Sequence, residues 1–448
     1  MELDSFFWGY VGFLLIVCLG TYFTISTRVF QLLALPQIFR TFVQFLFHRS
    51  KEDRGIHPLK AFFASVGGMI GLGNVVGIVT AVQLGGPGAL LWVWVAGFAG
   101  SLIKYSEIYL GLKYRVKNNY AGYDGGPMFF LKKAFSVQWV STLVCVLLCI
   151  YGAEIYQFHI IVDTLSYAWS VPGLLVSLVL LALILYTVVG GVFRVGNVCS
   201  WMMPLFLLAY ISMCVWVVID HFGSLGTVFM QVFESAFTGH AAIGGFAGST
   251  MMLAVQNGMA AASYAADIGI GYDSTIQSES HTVYPERQAR MALLGVILDN
   301  AICTLSILVC LVTNAWQLPI SGGGIPPVQV ALSPYFPFLE YVMPVFIFLL
   351  GFTTLIAYMI VGIKCARHLH ATSGAKLYVV YSSCALLFFS FFDQTYALLV
   401  MRIAGAMLLI INLLGIFQLR REVAFSLTDS EESENNSTAV LAKISQSV

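Results

Sequence analysis

The sequence predicts an all-α protein that crosses a membrane about eleven times. Only 10% of its 448 residues are charged, whereas soluble proteins carry about 25%, and its mean hydropathy is +0.85. A soluble core stops growing at about 250–300 residues, so this apolar surplus does not fit one soluble interior. The composition therefore excludes a soluble enzyme, a nucleic-acid binder and a disordered scaffold. The 22 basic residues equal the 22 acidic ones, so the net charge indicates no polyanionic partner.

Apolar stretches of about 20 residues can span a bilayer, and they should be helices because a helix satisfies its own backbone hydrogen bonds in lipid. The predicted spans are 5–26, 60–85, 87–112, 137–166, 173–190, 196–219, 240–262, 287–313, 338–362, 376–392 and 394–418. Between spans 1 and 2, polar residues such as Arg40 interrupt an apolar stretch, which predicts an amphipathic segment at the membrane surface. The segment 428–448 is acidic and polar and contains no aromatic side chain, which predicts a disordered tail.

The distribution of lysine and arginine predicts the orientation of these spans, because cytoplasmic loops carry an excess of both. If the spans alternate in direction, 20 of the 22 basic residues fall on one side of the membrane. The opposite loops contain none, at 168–172, 221–239, 314–337 and 393. The sequence therefore predicts a multi-pass protein of the cell or inner membrane, with its N-terminus outside and its C-terminus in the cytoplasm.

Glycines crowd the middle of two spans. They are Gly67, Gly68, Gly71 and Gly73 in span 2, and Gly244, Gly245 and Gly248 in span 7. Because glycine costs a helix interior roughly 1 kcal/mol relative to alanine, these residues serve either close helix packing or a broken helix whose freed backbone groups bind a ligand. Span 2 is the first of five spans (2–6), and span 7 is the first of the next five (7–11). Because five is odd, the two blocks cross the membrane in opposite directions. This relation favours two broken helices in an inverted repeat.

The predicted organisation follows from that repeat. It comprises an N-terminal helix with an interfacial segment (1–59), a first five-helix repeat (60–220), a second inverted repeat (240–418) and a cytoplasmic tail (428–448).

The glycine-rich region also carries a family signature. Residues 71–115 read GLGNVVGIVTAVQLGGPGALLWVWVAGFAGSLIKYSEIYLGLKYR, followed by GGPMFFL (125–131), GGVFRVG (190–196) and GFTTLI (351–356). These motifs resemble those of the alanine/glycine–sodium symporter family. The resemblance implies a leucine-transporter-type five-plus-five fold, here with one extra N-terminal helix. It also implies sodium-coupled symport of small neutral amino acids by alternating access, with no enzymatic activity and no cofactor besides the coupling sodium.

Two segments depart from the family pattern. The family has F-S-N-E-A-G-x-G-S-A-P after the second broken helix, whereas residues 264–274 read YAADIGIGYDS. In span 4, the family's N-M-V-Q-x-N is replaced by EIYQFH at 154–159. A carboxyl group inside a span is a functional candidate, so Glu154 and Asp267 keep open the alternative of a proton-coupled amino acid permease. The departures bear on the choice among alanine, glycine, serine and D-alanine rather than on the fold.

A zwitterionic substrate needs hydrogen-bond donors for its carboxylate. The N–H groups of Leu72 and Gly73 open the second half of the broken span 2, and a helix N-terminus favours an anion; the resemblance places the carboxylate there too. Asn74 is the nearest amide, and we expect it either to bind substrate or to pack against span 7. Gln157 is expected either to reach the substrate or to make an interhelical hydrogen bond.

Span 7 is predicted to supply the rest of the substrate site. Its backbone carbonyls would accept from the ammonium group, and its small side chains would leave room for a methyl group. The residues concerned are Phe246, Ala247, Gly248 and Ser249.

Sodium requires oxygen ligands. The resemblance implies that the carbonyls of Gly67 and Ile70 meet the hydroxyls of Thr353 and Thr354 from span 9, although helical threonines often bond to their own helix instead. Separately, Lys104 and Glu107 lie three residues apart in span 3 and predict a structural ion pair. The bilayer and the substrate are the expected partners; the sequence leaves the oligomeric state open and is compatible with a monomer.

Overall fold

The computed structural model describes residues 7–47, 54–238, 247–318 and 326–427, and these residues are mainly helical. Helical structure occupies the described part of each of the eleven predicted spans. Among the described residues, five single helices and the nearly continuous segment Gln138–Trp169 are long and apolar enough to cross a bilayer, and a bent pair makes a seventh span. Three shorter apolar helices lie within spans 1, 5 and 10. The predicted tail at 428–448 lies outside the described residues.

The N-terminal region is helical on both sides of a short turn. A π-helical stretch, Phe7–Gly12, leads into α1 (Phe13–Ser26). Two helices follow, α2 (Phe30–Leu33) and α3 (Leu35–Phe47). Helix α3 buries Ile38 and Phe45 and exposes Phe39, Val43 and Leu46. It therefore has a second apolar face turned outward, as a helix lying in a membrane surface requires.

Span 2 is broken, as the glycine cluster predicts. Helix α4 (Pro58–Met69) ends at Ile70, whose ψ of 93° is extended. The chain resumes at a π-helical stretch, Gly73–Gly77, that continues as α5 (Ile78–Gly85). The two halves of the span meet at an angle of 49°.

The first block contains a second interruption, which the sequence analysis did not predict. The block continues as α6 (Ala89–Lys113), α7 (Pro127–Phe135), α8 (Gln138–Tyr151), α9 (Ile155–Trp169), α10 (Gly173–Val189) and α11 (Gly191–Asp220). Between α6 and α7, strands β1 (Val116–Lys117) and β2 (Tyr123–Asp124) pair antiparallel. Span 4 is divided between α8 and α9, where Glu154 has a left-handed backbone (φ 47°).

The second block is interrupted at the C-terminal end of span 7, whereas the break predicted around Gly244 and Gly245 falls outside the described residues. Its helices are α12 (Leu225–Thr238), α13 (Ala247–Ala265), α14 (Tyr272–Gln277), α15 (Pro285–Val312), α16 (Pro327–Leu332), α17 (Leu339–Leu369), α18 (Gly374–Phe389) and α19 (Thr395–Gln418). Gly244 and Gly245 lie outside the described residues, and Gly248 lies in the uninterrupted α13. The observed interruption spans residues 266–271, where Asp267, Gly269 and Gly271 all have positive φ.

Close helix packing positions the two broken spans. Helix α6 packs along α1, α13 and α15, while α4 packs along α11, α14 and α17. A Cβ atom on Gly258 would lie only 2.6 Å from the carbonyl oxygen of Ala89, so glycine is what lets α13 approach α6. Small residues at such contacts are the usual means of close packing between membrane helices.

After α19, residues 419–427 form a C-terminal strap across the ends of α1, α6 and α15. The Phe425 ring stacks on Tyr105 with a centroid distance of 5.1 Å, and the Tyr105 hydroxyl donates to the carbonyl of Ala424 at 2.8 Å. Arg290 of α15 donates to the carbonyl of Leu427 at 3.0 Å. The strap thus ties the last helix to both blocks.

Candidate functional site

The three interruptions meet at one cavity. Helix α13 packs along α5, and α14 packs against α4, so the breaks of spans 2 and 7 lie side by side. A cavity of about 30 Å³ lies between them. It is lined by Gly68, Met69, Gly71, Gly73, Asn74, Tyr151, Glu154, Gln157, Tyr264, Ala265, Asp267 and Tyr358. These residues come from both broken spans, from the α8–α9 junction and from α17.

The sequence-predicted residues of span 2 lie at this cavity, and Gln157 joins them. Gly73 lines the cavity, and the adjacent Leu72 is buried. The N–H of Leu72 donates to Oε1 of Gln157 at 3.3 Å. Gln157 therefore makes the interhelical hydrogen bond that was one of its two predicted roles. Gln157 thereby occupies the N–H of Leu72, which the sequence predicts as a donor to the substrate carboxylate.

Asn74 holds the shape of the break. Its Oδ1 accepts from the N–H of Gly71 at 3.0 Å, while its Nδ2 donates to Asp299 at 2.5 Å and lies 3.3 Å from the sulfur of Cys303. Both Asp299 and Cys303 belong to α15, so the amide of Asn74 is held by span 8. Both ends of its amide are engaged inside the protein.

The predicted substrate residues of span 7 lie mostly outside the part of the chain that the structure describes. Phe246 lies outside the described residues, as do the side chains of Ala247, Gly248 and Ser249, whose backbone forms the first turn of α13. At 1.5 Å rise per residue, that turn lies about 25 Å along the helix from Ala265, which lines the cavity. Their contact with substrate stays a prediction, whereas the wall of the observed cavity comes from the other end of α13.

Asp267 is the best-supported polar group in the cavity. Its carboxylate accepts from the hydroxyl of Tyr151 at 3.2 Å and from the hydroxyl of Tyr358. The Tyr358 ring stacks on Tyr272 with a centroid distance of 4.2 Å. Asp267, Tyr151 and Tyr358 are each no more than 3% exposed. The two tyrosines therefore fix the carboxylate while leaving it at the cavity wall.

Glu154 is the second carboxyl group of the cavity, and it is 4% exposed. Its carboxylate lies beside the amide of Gln157, and no ion pair to it occurs among the described residues. A left-handed backbone at a non-glycine residue costs on the order of 1–3 kcal/mol and is typical of functional sites. The interruption at Glu154 therefore exposes an acidic group at the same cavity as Asp267.

Sequence reasoning missed the tyrosines and placed the two acidic residues only as candidates. Tyr151, Tyr264 and Tyr358 are 3 of 21 tyrosines in the chain, and nothing in their sequence positions separates them from core aromatics. Asp267 had a signal, because it occupies the acidic position of the family pattern, just before Gly269 and Gly271.

The predicted sodium ligands come together in part. The Thr354 hydroxyl lies 3.1 Å from the carbonyl oxygen of Gly67 and equally far from that of Leu350 in its own helix. The Thr353 hydroxyl lies 2.9 Å from carbonyl oxygens of α17 itself. Gly67, Ile70 and both threonines are buried. The two alternatives for Thr354 therefore occur together, and the predicted contact between span 2 and span 9 is present.

The predicted partner of Lys104 is wrong. Its ammonium forms an ion pair with Asp273 of α14, not with Glu107, and donates to the carbonyl of Asp267 at 2.6 Å. Glu107 instead accepts from the N–H of Ser274 at 3.4 Å. The i,i+3 spacing brings Lys104 and Glu107 to one face, but α14 packs against that face and supplies a closer carboxylate.

Known proteins resemble this chain over nearly its full length. The model of the sodium:alanine symporter family matches residues 1–443. The chain belongs to the sodium:alanine symporter family. The symporter is 27% identical to the sodium/alanine symporter AgcS of Methanococcus maripaludis, with 96% of this chain and 98% of that protein covered. It is also 27% identical to the probable sodium/glutamine symporter GlnT of Bacillus subtilis, with 95% and 89% covered.

Solved structures establish the fold of the symporter. MhsT, solved in complex with L-phenylalanine, matches with a TM-score of 0.60 at 15% identity, over 83% of this chain and 90% of that one. Mhp1, a nucleobase-cation-symport-1 family transporter, matches with a TM-score of 0.50 at 12% identity, over 78% and 75%. The predicted leucine-transporter-type fold is confirmed. The family match and the apolar helices together make the symporter a multi-pass, sodium-coupled amino acid transporter.

Proposed function

We propose that the symporter takes up small neutral amino acids, with alanine and glycine first, together with sodium. The observation that carries this proposal is the cavity between the three interruptions. Its volume of about 30 Å³ matches the share of liquid volume of one water molecule, so a bound amino acid requires the walls to open. Glycines at 68, 71 and 73 and Ala265 leave little side-chain bulk along one side, which suits a substrate with no more than a short side chain.

The charges of the cavity suggest how a zwitterion binds. Asp267 and Glu154 both face the cavity and would attract the ammonium group. The substrate carboxylate would take the N–H of Leu72 and Gly73 at the start of the second half of span 2, where a helix dipole favours an anion. Because Gln157 now accepts from Leu72, we propose that its amide turns aside when substrate binds.

Sodium would bind between Gly67, Ile70, Thr353 and Thr354. Gly67 and Ile70 flank Gly68 and Met69, which line the cavity, so an ion that joins span 2 to span 9 would stabilise one shape of the substrate site. The driving force is adequate: one charge moving through 100 mV yields about 2.3 kcal/mol, and a tenfold ion gradient adds about 1.4. Together they would sustain a substrate gradient of several hundredfold.

Uptake of labelled alanine into proteoliposomes tests this proposal. We expect accumulation only with an inward sodium gradient, and competition by glycine, L-serine and D-alanine that weakens as the side chain grows. Glutamine is the informative competitor, because one relative, GlnT, is described as a probable sodium/glutamine symporter. Stronger competition by glutamine than by alanine would contradict the proposed size limit.

A second candidate, proton coupling, is favoured by one observation. Two carboxyl groups line the cavity, and no lysine or arginine is among the lining residues that the structure describes. A cation must therefore balance them when the site is dry. Uptake that follows external pH and ignores sodium would favour this candidate. If the pH dependence is lost in Glu154→Gln, Glu154 carries the proton; if it persists, Asp267 carries it.

A further inference from the structure

Lys104 lies behind the cavity wall, at the break of span 7. It is 1% exposed and does not line the cavity. Its ammonium donates to the carbonyl of Asp267 at 2.6 Å and forms an ion pair with the carboxylate of Asp273. Asp267 lies within the break before its two glycines, and Asp273 lies in α14 after them, so one ammonium group links the two sides of the glycine pair.

In the backbone of this break, the N–H groups of Ala266 and Ile268 bond back to carbonyls of α13 at 3.0 and 3.1 Å, but the bonds made by Asp267 and Ile270 are weaker. The N–H of Ile270 reaches the carbonyl of Asp267 at 3.4 Å, and the N–H of Asp267 reaches that of Tyr264 at 3.4 Å, both long for a hydrogen bond. Asp267 itself has a left-handed φ of 48°. The shorter contact from Lys104 is charge-assisted and therefore stronger than either.

The same ion pair reaches the other broken span. Asp273 accepts from the hydroxyl of Ser65 on α4, and Ser65 in turn accepts from the amide of Gln277 at 2.9 Å. The hydroxyl of Tyr272 donates to the carbonyl of Ala64, also on α4, at 2.9 Å. Lys104, Asp273 and Ser65 thus form a continuous polar path between the break of span 7 and the first half of span 2.

We propose that Lys104 is a positioning residue for substrate: by bridging Asp267 and Asp273 it sets where the Asp267 carboxylate meets the ammonium group of the amino acid. This inference rests on the proposed function, because it assigns Asp267 to that ammonium. Lys104 acts only through Asp267. Losing it should therefore change the affinity for the amino acid more than the turnover of the loaded transporter.

The chain supplies a matched control in Lys364. This lysine is also buried, forms an ion pair with Glu279 at 2.7 Å, and donates to the carbonyl of Tyr123 at 2.9 Å. Like Lys104, it joins a backbone carbonyl to a buried carboxylate, with Asp124 as a further ion-pair partner at 3.3 Å, but its partners belong to the β2 strand and the turn after α14 rather than to the break. A lysine that serves only the fold should respond as Lys364 does.

The experiment compares Lys104→Gln, Lys104→Arg and Lys364→Gln as full-length proteins. Alanine binding is measured in detergent, and sodium-driven alanine uptake is measured in proteoliposomes with equal protein. For Lys104→Gln we expect Kd and KM for alanine to rise at least tenfold while kcat changes less than about threefold. Lys104→Arg should recover part of the affinity, because it keeps the charge. Lys364→Gln should leave KM within about twofold of the wild type.

The outcomes separate this inference from the proposed function. Wild-type protein that neither binds nor accumulates alanine contradicts the proposed function. Normal wild-type uptake with an unchanged KM in Lys104→Gln overturns the role of Lys104 alone, and so does an equal change in Lys364→Gln. If Lys104→Gln does not purify as a folded protein, Asp273→Asn decides, since it removes one side of the bridge and leaves the hydrogen bond to Asp267; a KM within twofold of the wild type would then overturn the proposal.

Discussion

The hydroxyl of Thr354 is the one side-chain contact that joins the predicted ion ligands of span 2 and span 9. It is shared between the carbonyl of Gly67 and that of Leu350. Valine keeps the volume of threonine but supplies no oxygen, so the substitution removes ligands without opening a cavity.

We therefore expect Thr353→Val with Thr354→Val to abolish sodium-dependent uptake, by at least tenfold at any sodium concentration that saturates the wild type. Uptake of labelled alanine against sodium concentration measures this. Thr187→Val is the control, because Thr187 is a buried helical threonine that bonds only to Leu183 of its own helix. Normal sodium stimulation in the double variant would disprove the ion site.

Gly73 and Gly77 allow a controlled test of the size of the substrate site, because they have similar surroundings and only one of them lines the cavity. A Cβ atom at either position would have no heavy atom within 4 Å, so alanine should fit at both without strain. Only Gly73 lines the cavity. An added methyl group there would take space from the substrate's own side chain.

For Gly73→Ala we expect glycine uptake within about threefold of the wild type, and a KM for alanine at least fivefold higher. Gly77→Ala should change neither. Paired uptake assays with the two labelled amino acids measure the ratio. Equal losses for glycine and alanine in Gly73→Ala would show that the cavity does not set the size of the substrate.

At the scale of helices, the sequence could predict the break of span 2 but not the other two. The glycines between positions 67 and 73 weaken that span as a helix, and the backbone becomes extended at Ile70 among them. The glycines of span 7 give the same signal, but Gly244 and Gly245 lie outside the described residues and Gly248 lies in the first turn of α13, so that break stays a prediction. The break at Asp267 depends on contacts from Lys104, Tyr151 and Tyr358, which come from three other helices. No local pattern contains those contacts.

The interruption of span 4 has the same cause. Glutamate rarely adopts a left-handed backbone, and Gly152 alone gave little reason to expect one at Glu154. Sequence reasoning therefore found the half of the cavity formed by span 2 and Gln157. It missed the half built by tertiary contacts.

Gly271 tests how firmly the second break is fixed. Its φ of 95° is in the left-handed region, and a Cβ atom would lie 2.6 Å from Pro127 and 2.9 Å from Asn412. Left-handed backbone alone costs a non-glycine residue roughly 1–2 kcal/mol. We expect Gly271→Ala to lower the midpoint of thermal unfolding in detergent by several degrees. Gly226→Ala, where a Cβ atom has open space, should leave it unchanged; equal midpoints for the two variants would contradict a fixed break.

For the whole molecule, the charge pattern makes the strongest prediction that the fold alone does not test. Residues 116–124 form a hairpin between α6 and α7, and residues 170–172 join α9 to α10. The basic residues place the first inside the cell and the second outside. Fluorescent-protein and alkaline-phosphatase fusions after Asn118 and after Ser170 measure this: we expect fluorescence from the first and phosphatase activity from the second. The reverse result would invert the predicted orientation of every span.

The C-terminal strap connects the scales, because one carboxylate on it holds distant parts of the chain together. Glu422 forms an ion pair with Lys113 at 2.9 Å and accepts from the Tyr114 hydroxyl. The hydrogen bond from Tyr114, followed by that from Lys113, lowers the pKa of Glu422 below its ordinary value of 4.5. A lowered pKa means that the ionised carboxylate stabilises the folded state. That contribution is complete above the ordinary pKa and is lost as the pH falls through the lowered one.

Glu422→Gln should therefore unfold at a lower temperature than the wild type at pH 7, and the difference should shrink to nothing as the pH falls below the lowered pKa. Thermal unfolding in detergent across that pH range measures both curves. Because Glu422 is about one third exposed, its ion pair is partly screened and the difference should be small, and added salt should reduce it further. Glu340→Gln, at the start of α17, is a control that leaves the strap intact. A difference from the wild type that persists at low pH would mean that the strap is held by Phe425 and its aromatic neighbours, and that Glu422 contributes only its shape.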